Sequence, residues 1–433
     1  MKSKWGLQIL SLLLVVALTA CSGSTNTPNA PTTNNTNTPA ESTSSPADTE
    51  EVKLKPEAGA KLVVWEAQEQ QAYMQEVGKA FEKEYGVPVT VEVVAGGDQG
   101  ARLTTDGPSK TAADILTMPH DQIGLAVKAG LILPNDMFEE ETRSNSVEAS
   151  IVASSFDGIL YGYPKSVETY AMLYNKDLLP EAPKTWEEVI AFSEGFTDPS
   201  QKKYGIMWEF VGFYMYPFIG SYGGYIFGDN NTNPDDIGLN KGEVYQGFEF
   251  LRSLKSILPL NAGDVTYDVK TQLFQDGKLA LNIDGPWSVA AFKDKVNFGV
   301  APLPKFPNGQ DAISFSGVKS YYVNSYSNYP EAARLFANFA SSKENQLLNY
   351  TMTGAIPANK EAGDDPLIKS DPITSGFFQQ FNNSVPMASI PGVDLVWESL
   401  RATSIAIWDD PSLDIKSTLD NMVKSIDEGI KAR

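Results

Sequence analysis

The chain has 433 residues, 42% hydrophobic and 20% charged, with a formal net charge of −20. That charge excludes nucleic acid and anionic lipid as direct electrostatic partners, since both would repel it. With one cysteine and one histidine, the chain has no internal disulfide, no Cys-based metal or redox centre and no histidine cluster for zinc. A Ser-His-Asp triad would have to run through His120.

At the N-terminus, Lys2 and Lys4 precede an apolar run over residues 7–18. This run is about a dozen residues, short of the ~20 that span a bilayer as a helix, and it ends on small residues as a secretory signal does. The sequence Leu18-Thr19-Ala20-Cys21 resembles the lipobox of bacterial lipoproteins, in which the cysteine is acylated and becomes the new N-terminus. Residues 1–20 are therefore expected to be a lipoprotein signal peptide and Cys21 the lipidation site. The mature protein is then expected on the extracellular face of the cytoplasmic membrane, lipid-anchored. An ordinary signal peptide with an incidental cysteine is the alternative. Residues 22 to about 50 are nearly all Ser, Thr, Asn and Pro, without an aromatic, Val, Leu or Ile. Such a composition cannot bury enough apolar surface to offset its ordering entropy, so residues 21–59 are expected to form a disordered leash. Its r.m.s. reach is ~30–35 Å. A simple spacer that clears the cell wall fits the same composition.

From residue 60 onward there are about 370 residues, more than one average core and enough for two lobes. Lys61-Leu62-Val63-Val64-Trp65 reads as a strand, and Val87, Val89, Val91 and Val93 alternate at the strand period. Between them Tyr73, Val77, Ala80, Phe81 and Tyr85 recur at helical spacing, with Gly86 as C-cap. Residues 113–118 predict another strand, followed by a helix over 121–128 closed by Gly130. This alternation predicts an α/β lobe with a mostly parallel sheet, and ligands bind beyond the carboxyl ends of such strands. Residues 66–70 and 118–122 would lie there. The stretch 206–227 is dense in aromatics, most of them expected in the core. Helices are predicted from Pro330 through Phe339 and from Leu413 to Ile430.

Seven stretches together resemble the maltose/maltodextrin-binding proteins of bacterial ABC importers, within the extracellular sugar-binding proteins. They are residues 61–65 with 77–83, His120-Asp121, Tyr174-Asn175-Lys176-Asp177-Leu178-Leu179-Pro180, Pro183-Lys184-Thr185-Trp186-Glu187-Glu188, Gly223-Gly224-Tyr225, Asn282-Ile283-Asp284-Gly285-Pro286-Trp287, and Trp397-Glu398-Ser399-Leu400-Arg401. The resemblance implies an α/β, two-lobed periplasmic-binding-protein fold of type II, its discontinuous lobes joined by hinge strands. One lobe would comprise 60–166 and 320–366, the other 170–315 and 372–433. Residues 167–169 and the segment near 316–317 would be hinge strands, and the lobes would close over bound sugar.

A neutral oligosaccharide presents hydroxyls at its ring edges and C–H patches on its faces, so its site needs polar groups and aromatic platforms. The resemblance places Trp287 and Trp397 as the stacking rings. Gly285-Pro286 puts Trp287 at a turn, and Trp397 shares a helix face with Arg401 four residues on. The matched acids are Asp121, Glu168 and, more loosely, Glu69, whose carboxylates would accept charge-assisted hydrogen bonds from hydroxyls. Arg401 would donate from the opposite side. Glu209 is an acid in an aromatic setting, but the matched acid position is Val211. Met118 replaces a stacking tryptophan, Gln122 an arginine, Gln70 a lysine, and Phe213 stands for an aromatic with a hydroxyl. The alternative reading at any of these is a core ring or a solvated acid.

The resemblance thus implies a monomeric, non-enzymatic binding protein for maltose/maltodextrin-type oligosaccharides, with the permease subunits of an ABC importer as its membrane partner. No cofactor or metal is implied. The rivals are the same fold with another ligand such as a cyclodextrin or other sugar, a secreted glycoside hydrolase, and a surface adhesin or sensor. A hydrolase would need two carboxylates ~5–5.5 or ~6.5–9.5 Å apart, and nothing in the sequence pairs two of them.

Overall fold

Residues 54–432 are described in the computed structural model; the expectations for the signal peptide, for Cys21 and for the leash up to residue 53 lie outside them. Strand β1 (Leu62–Glu66) buries Leu62, Val64 and Trp65. Helix α1 (Gln71–Tyr85) presents Tyr73, Val77 and Phe81 to the same core, as the helical spacing predicts, together with Met74, while Ala80 is exposed. It ends at Gly86, whose left-handed φ of 71° lets its N–H donate to the Glu82 carbonyl. β2 (Val89–Val93) and β3 (Ile115–Pro119) flank β1, both parallel to it. A 3-10 turn at His120–Gln122 then leads into α2 (Ile123–Lys128).

The expected parallel character stops there. β4 (Tyr163–Thr169) runs through Tyr170 into β5 (Ala171–Asn175) of a second sheet. β6 (Tyr204–Met207), β7 (Leu279–Asp284) and β8 (Phe298–Ala301) complete that sheet in the order β8-β5-β7-β6. β9 (Ser314–Val323) carries the chain back, and β10 (Ile356–Pro357) and β11 (Ser384–Pro386) join it in the first sheet. The order there is β10-β4-β9-β3-β1-β2, with β11 beside the start of β9. β9 is antiparallel to both β3 and β4, and β10 to β4. Strands that cross between sheets in opposite senses must pair this way, which local alternation does not reveal.

In the second lobe, α3 (Gly212–Met215) follows β6, α4 (Tyr267–Gln275) precedes β7 and α5 (Val289–Phe292) follows it. In the first lobe, α6 (Pro330–Ala340) packs on β9 and α7 (Lys343–Thr353) on β10. α8 (Pro372–Phe381) then packs on β8, and the chain finishes with α9 (Val393–Asp409) and α10 (Ile415–Lys431). Pro330 opens α6 as expected, while α10 begins two residues later than Leu413, where the Asp414 side chain accepts from the Ser417 N–H (2.8 Å). The aromatic stretch is core as expected: Trp208, Phe210, Tyr214, Tyr216, Phe218, Tyr222 and Phe227 are buried. No helix among the described residues is long and apolar enough to cross a membrane.

Each lobe encloses one buried ammonium. Where β4 pairs with β9, Lys319 faces Ser166 and Ser320 faces Pro164, so Lys165 is left over as a bulge. Its side chain turns inward to Glu66 at the end of β1, over the rings of Tyr73 and Tyr321. Glu66 also accepts from the Ala67 N–H and the Thr117 hydroxyl, both at 2.9 Å. In the second lobe Lys270 pairs with Asp284, just before Trp287. Removing one partner of such a pair strands the other charge in a medium that solvates it poorly. Lys165→Met should therefore lower stability by about 3–5 kcal/mol, and Lys165→Met/Glu66→Leu by less than that single change. Urea unfolding of the three proteins measures both, and a double variant weaker than Lys165→Met would contradict this account.

Candidate functional site

Residues from both lobes line a cavity of about 370 Å³. From the first lobe come Glu69 on the turn between β1 and α1, Gly97, Pro119 at the end of β3, and Asp121. The crossing strands supply Glu168 from β4 and Lys319 from β9. From the second lobe come Val211, Gly212 and Phe213 at the start of α3, Trp287, Met387 and Trp397. These positions follow the rule that α/β folds gather ligand groups beyond the ends of their strands.

The aromatic wall is continuous. Trp287 sits on a 3-10 turn (Pro286–Ser288) rather than at a free loop tip, with its ring 6.2 Å from that of Phe213. Phe213 stacks nearly parallel to Phe315 at 6.1 Å, and Trp397 meets Phe315 edge-on at 5.5 Å. Gly212 makes room for this arrangement, since a Cβ there would lie 3.1 Å from Cε3 of Trp397. Both tryptophans are half-buried, so each keeps part of its surface in the cavity.

The polar groups are fixed by specific bonds. Trp397 Nε1 on α9 donates to Asp121 Oδ2 (2.9 Å), joining one lobe to the other. Oδ1 of Asp121 has no hydrogen-bond partner among the described residues. Burial raises the Asp121 carboxyl from its ordinary value to about 6, with the Trp397 bond opposing and Glu168 adding to the rise. Lys319 Nζ stands 3.5 Å from Glu168 Oε2 and 5.5 Å from the Trp287 ring centroid. Burial works against its charge, yet Glu168, Glu69 and Glu66 outweigh that and push its pKa up, so it stays an ammonium. The cavity thus holds three carboxylates, one cation and three ring systems.

Of the residues expected at a site, the structure brings together Glu69, Asp121, Glu168, Phe213, Trp287 and Trp397. It does not bring Arg401 there: Arg401 lies one turn beyond Trp397 on α9, exposed to solvent and outside the lining. Nor does it bring Glu209, which turns toward the buried pair of Lys270 and Asp284, 3.6 Å from Lys270 Nζ. Burial raises the Glu209 pKa, with Lys270 opposing. Of the replaced positions, Met118 is fully buried in the first-lobe core. Gln122 acts as a strap, accepting from the Gly100 N–H (2.8 Å) and donating to the carbonyls of Gly96 and Gly97 (3.1 and 3.0 Å). It holds the loop that brings Gly97 to the cavity. Val211 is in the lining as an aliphatic.

Sequence reasoning missed Lys319 and Met387. Lys319 sits where the β4–β9 register slips, and no local pattern announces a bulge. Met387 is tied to the one histidine. His120 Nδ1 accepts from the Val318 N–H (3.2 Å), so Nε2 carries the proton facing the Met387 carbonyl (3.1 Å). Burial lowers the His120 pKa to about 4, which keeps the imidazole in the neutral form this pair of bonds requires.

A model of the bacterial extracellular solute-binding proteins matches residues 76–375 of the chain. The chain belongs to that family. This solute-binding protein is similar to a galactooligosaccharide-binding protein of Bacillus subtilis (strain 168), 35% identical over 387 residues that span 87% of this chain and 90% of that one. It is 31% identical over 402 residues to a maltooligosaccharide ABC transporter solute-binding lipoprotein of Streptococcus pneumoniae, covering 90% and 92% of the two chains. Among solved structures, a Thermus thermophilus maltotriose-binding protein bound with maltotriose superposes with a TM-score of 0.80 at 27% identity, over 85% of this chain and 100% of that one. The fold is the two-lobed type II periplasmic-binding-protein fold, and the solute-binding protein is no enzyme, so the glycoside-hydrolase alternative falls.

Neighbouring His120 and Asp121 oppose each other in acid. Below pH 6.5 unfolded His120 takes a proton that the folded form refuses until about pH 4, so its contribution to stability is lost as pH falls through that window. Asp121 does the reverse, taking its proton in the folded state from about pH 6 downward. Each shift is worth about 3 kcal/mol. Relative to Asp121→Asn, the wild-type protein should therefore gain about 2 kcal/mol between pH 7 and pH 4. Urea unfolding across that range tests it, and a constant difference between the two proteins would show that Asp121 titrates as an ordinary carboxyl.

Proposed function

We propose that this solute-binding protein captures maltodextrin-type oligosaccharides in the cavity and delivers them to the permease subunits of an ABC importer. One observation carries the reading: three ring systems and three carboxylates from both lobes and the crossing strands face one cavity. Pyranose faces would lie against Trp287 and Trp397, the hydroxyls bonding to Asp121, Glu168 and Glu69. Oδ1 of Asp121 is a buried acceptor that a sugar hydroxyl would satisfy, and Lys319 is the donor. Lobes of 60–166 with 320–366 and of 170–315 with 372–433 would close about the segments 167–169 and 316–317. Acylation at Cys21 and the leash beyond it would tether a monomer to the outer face of the cytoplasmic membrane; the named lipoprotein relative supports that part.

A second ligand class has its own support. The Bacillus relative is named for galactooligosaccharides, and the cavity's acids and rings suit the hydroxyls and faces of galactose polymers as they do those of glucose polymers.

Calorimetric titration with maltose, maltotriose, longer dextrins, cyclodextrin and galactooligosaccharides separates the two. For a maltodextrin we expect micromolar affinity or tighter, on the order of −8 kcal/mol. Trp287→Ala and Trp397→Ala should each weaken it by about 1–3 kcal/mol, as loss of an aromatic platform does. Full affinity in both variants would remove the site from this cavity, and tighter binding of a galactooligosaccharide than of any dextrin would favour the second class.

A further inference from the structure

The turn that carries Trp287 is seated by two lobes. Its own lobe fixes it from behind: Asp284 Oδ1 accepts from the Gly285 N–H (2.8 Å), and Lys270 holds the Asp284 carboxylate. The other lobe meets it at Gly354. α7 ends at Thr353, and Gly354 follows as its C-cap with a left-handed φ of 83°, its N–H donating to the Tyr350 carbonyl (2.8 Å). Two residues later the chain enters β10, which pairs with β4 in the first sheet. Pro286 and Val289, by contrast, continue directly from β7 of the second sheet.

Across this junction the backbones come unusually close. A Cβ built on Gly354 would lie 2.8 Å from Cβ and 3.0 Å from Cγ1 of Val289, and 3.2 Å from the Pro286 carbonyl oxygen. The nearest of these atoms, Val289 Cβ, is fixed to its own backbone and no rotamer change can move it aside. A side chain at 354 is therefore accommodated only by moving one lobe's backbone away from the other, and Trp287 lies between the two contact points, Pro286 and Val289. The turn at Gln68–Gln70, which carries Glu69, touches the same Trp287 turn from the first lobe.

We propose that Gly354 is a positioning residue for ligand binding: its missing side chain sets how closely the lobes approach at the Trp287 end, and so where the indole stands in the cavity. The inference rests on the reading of that cavity as the sugar site. Any residue with a Cβ at 354 holds the lobes apart at this edge, leaving every group that touches sugar chemically intact.

Two substitutions separate contact from backbone strain. Gly354→Ala adds the Cβ and also strains the positive φ, whereas Asn tolerates that φ far better, so Gly354→Asn adds the Cβ with less strain and is the variant expected to fold well. In the full-length protein both should bind maltotriose at least tenfold more weakly than wild type by calorimetry. Small-angle scattering should show the maltotriose-saturated variants with a larger radius of gyration than the saturated wild type. A purely structural glycine would alter the melting temperature without changing that saturated shape. Val289→Gly placed in the Gly354→Asn background removes the atom the new Cβ meets and should restore most of the affinity. If folded Gly354→Asn binds maltotriose within twofold of wild type, or if Val289→Gly restores nothing, the inference is overturned. Failure of the wild-type protein itself to bind either maltotriose or a galactooligosaccharide would instead overturn the sugar reading on which it stands.

Discussion

Everything about the cavity depends on one piece of backbone pairing. β4 and β9 are the strands through which the chain passes from one sheet to the other, and they cross side by side, with Ser316 opposite Thr169, Gly317 opposite Glu168 and Val318 opposite Val167. Two antiparallel strands at a crossing share a ladder of hydrogen bonds, so the lobes are tied by a paired ribbon. Glu168 and Lys319 project from this ribbon into the cavity and pair there. A group bound to them sits on the ribbon that joins the two sheets. The Trp397 to Asp121 bond ties one lobe to the other away from that ribbon.

The electrostatics follow from the same placement. Asp121, Glu168 and Glu69 gather negative charge in a partly dry space, and Lys319 is the cation inside it. Glu168 and Glu69, with Glu66 behind them, raise the Lys319 pKa, and the ammonium in turn offsets the crowding of like charges. The Lys319 side chain also lies over the Trp287 ring, so the cation, an acid and a platform form one connected group. The second buried lysine, Lys270, works out of reach of the cavity, where it holds Asp284 and thereby the turn that ends in Trp287. The acid expected at 209 belongs with that supporting cluster.

How far the sequence carried depended on whether the relevant pattern was local. β1, α1 with its Gly86 cap, β3 and α6 were legible because burial on one face leaves a period in the chain. Trp287 and Trp397 were legible as large rings beside turn and helix signals, matched to a family pattern. The antiparallel part of the first sheet was not, because β9 meets β3 and β4 across 145 residues and more, and nothing in either segment encodes direction. Arg401 was placed by its family-matched stretch and by helical spacing, which puts two residues on one side of a cylinder but does not fix how wide the wall is; Trp397 reaches the cavity and the next turn reaches solvent. Lys319 was invisible for a sharper reason. The side on which its chain emerges depends on the extra residue Lys165 in a different strand, a one-residue mismatch that only pairing creates.

The one histidine of the chain bridges the strand that returns between the lobes and the carbonyl of a cavity-lining methionine. Its ring is neutral with a fixed tautomer, so its two nitrogens differ chemically and its proton is shielded from solvent. A molecule of this size ordinarily crowds its imidazole resonances together. Here the two nitrogen-15 resonances of one imidazole arise at the crossing itself, a native reporter whose chemical shifts record the state of the ribbon.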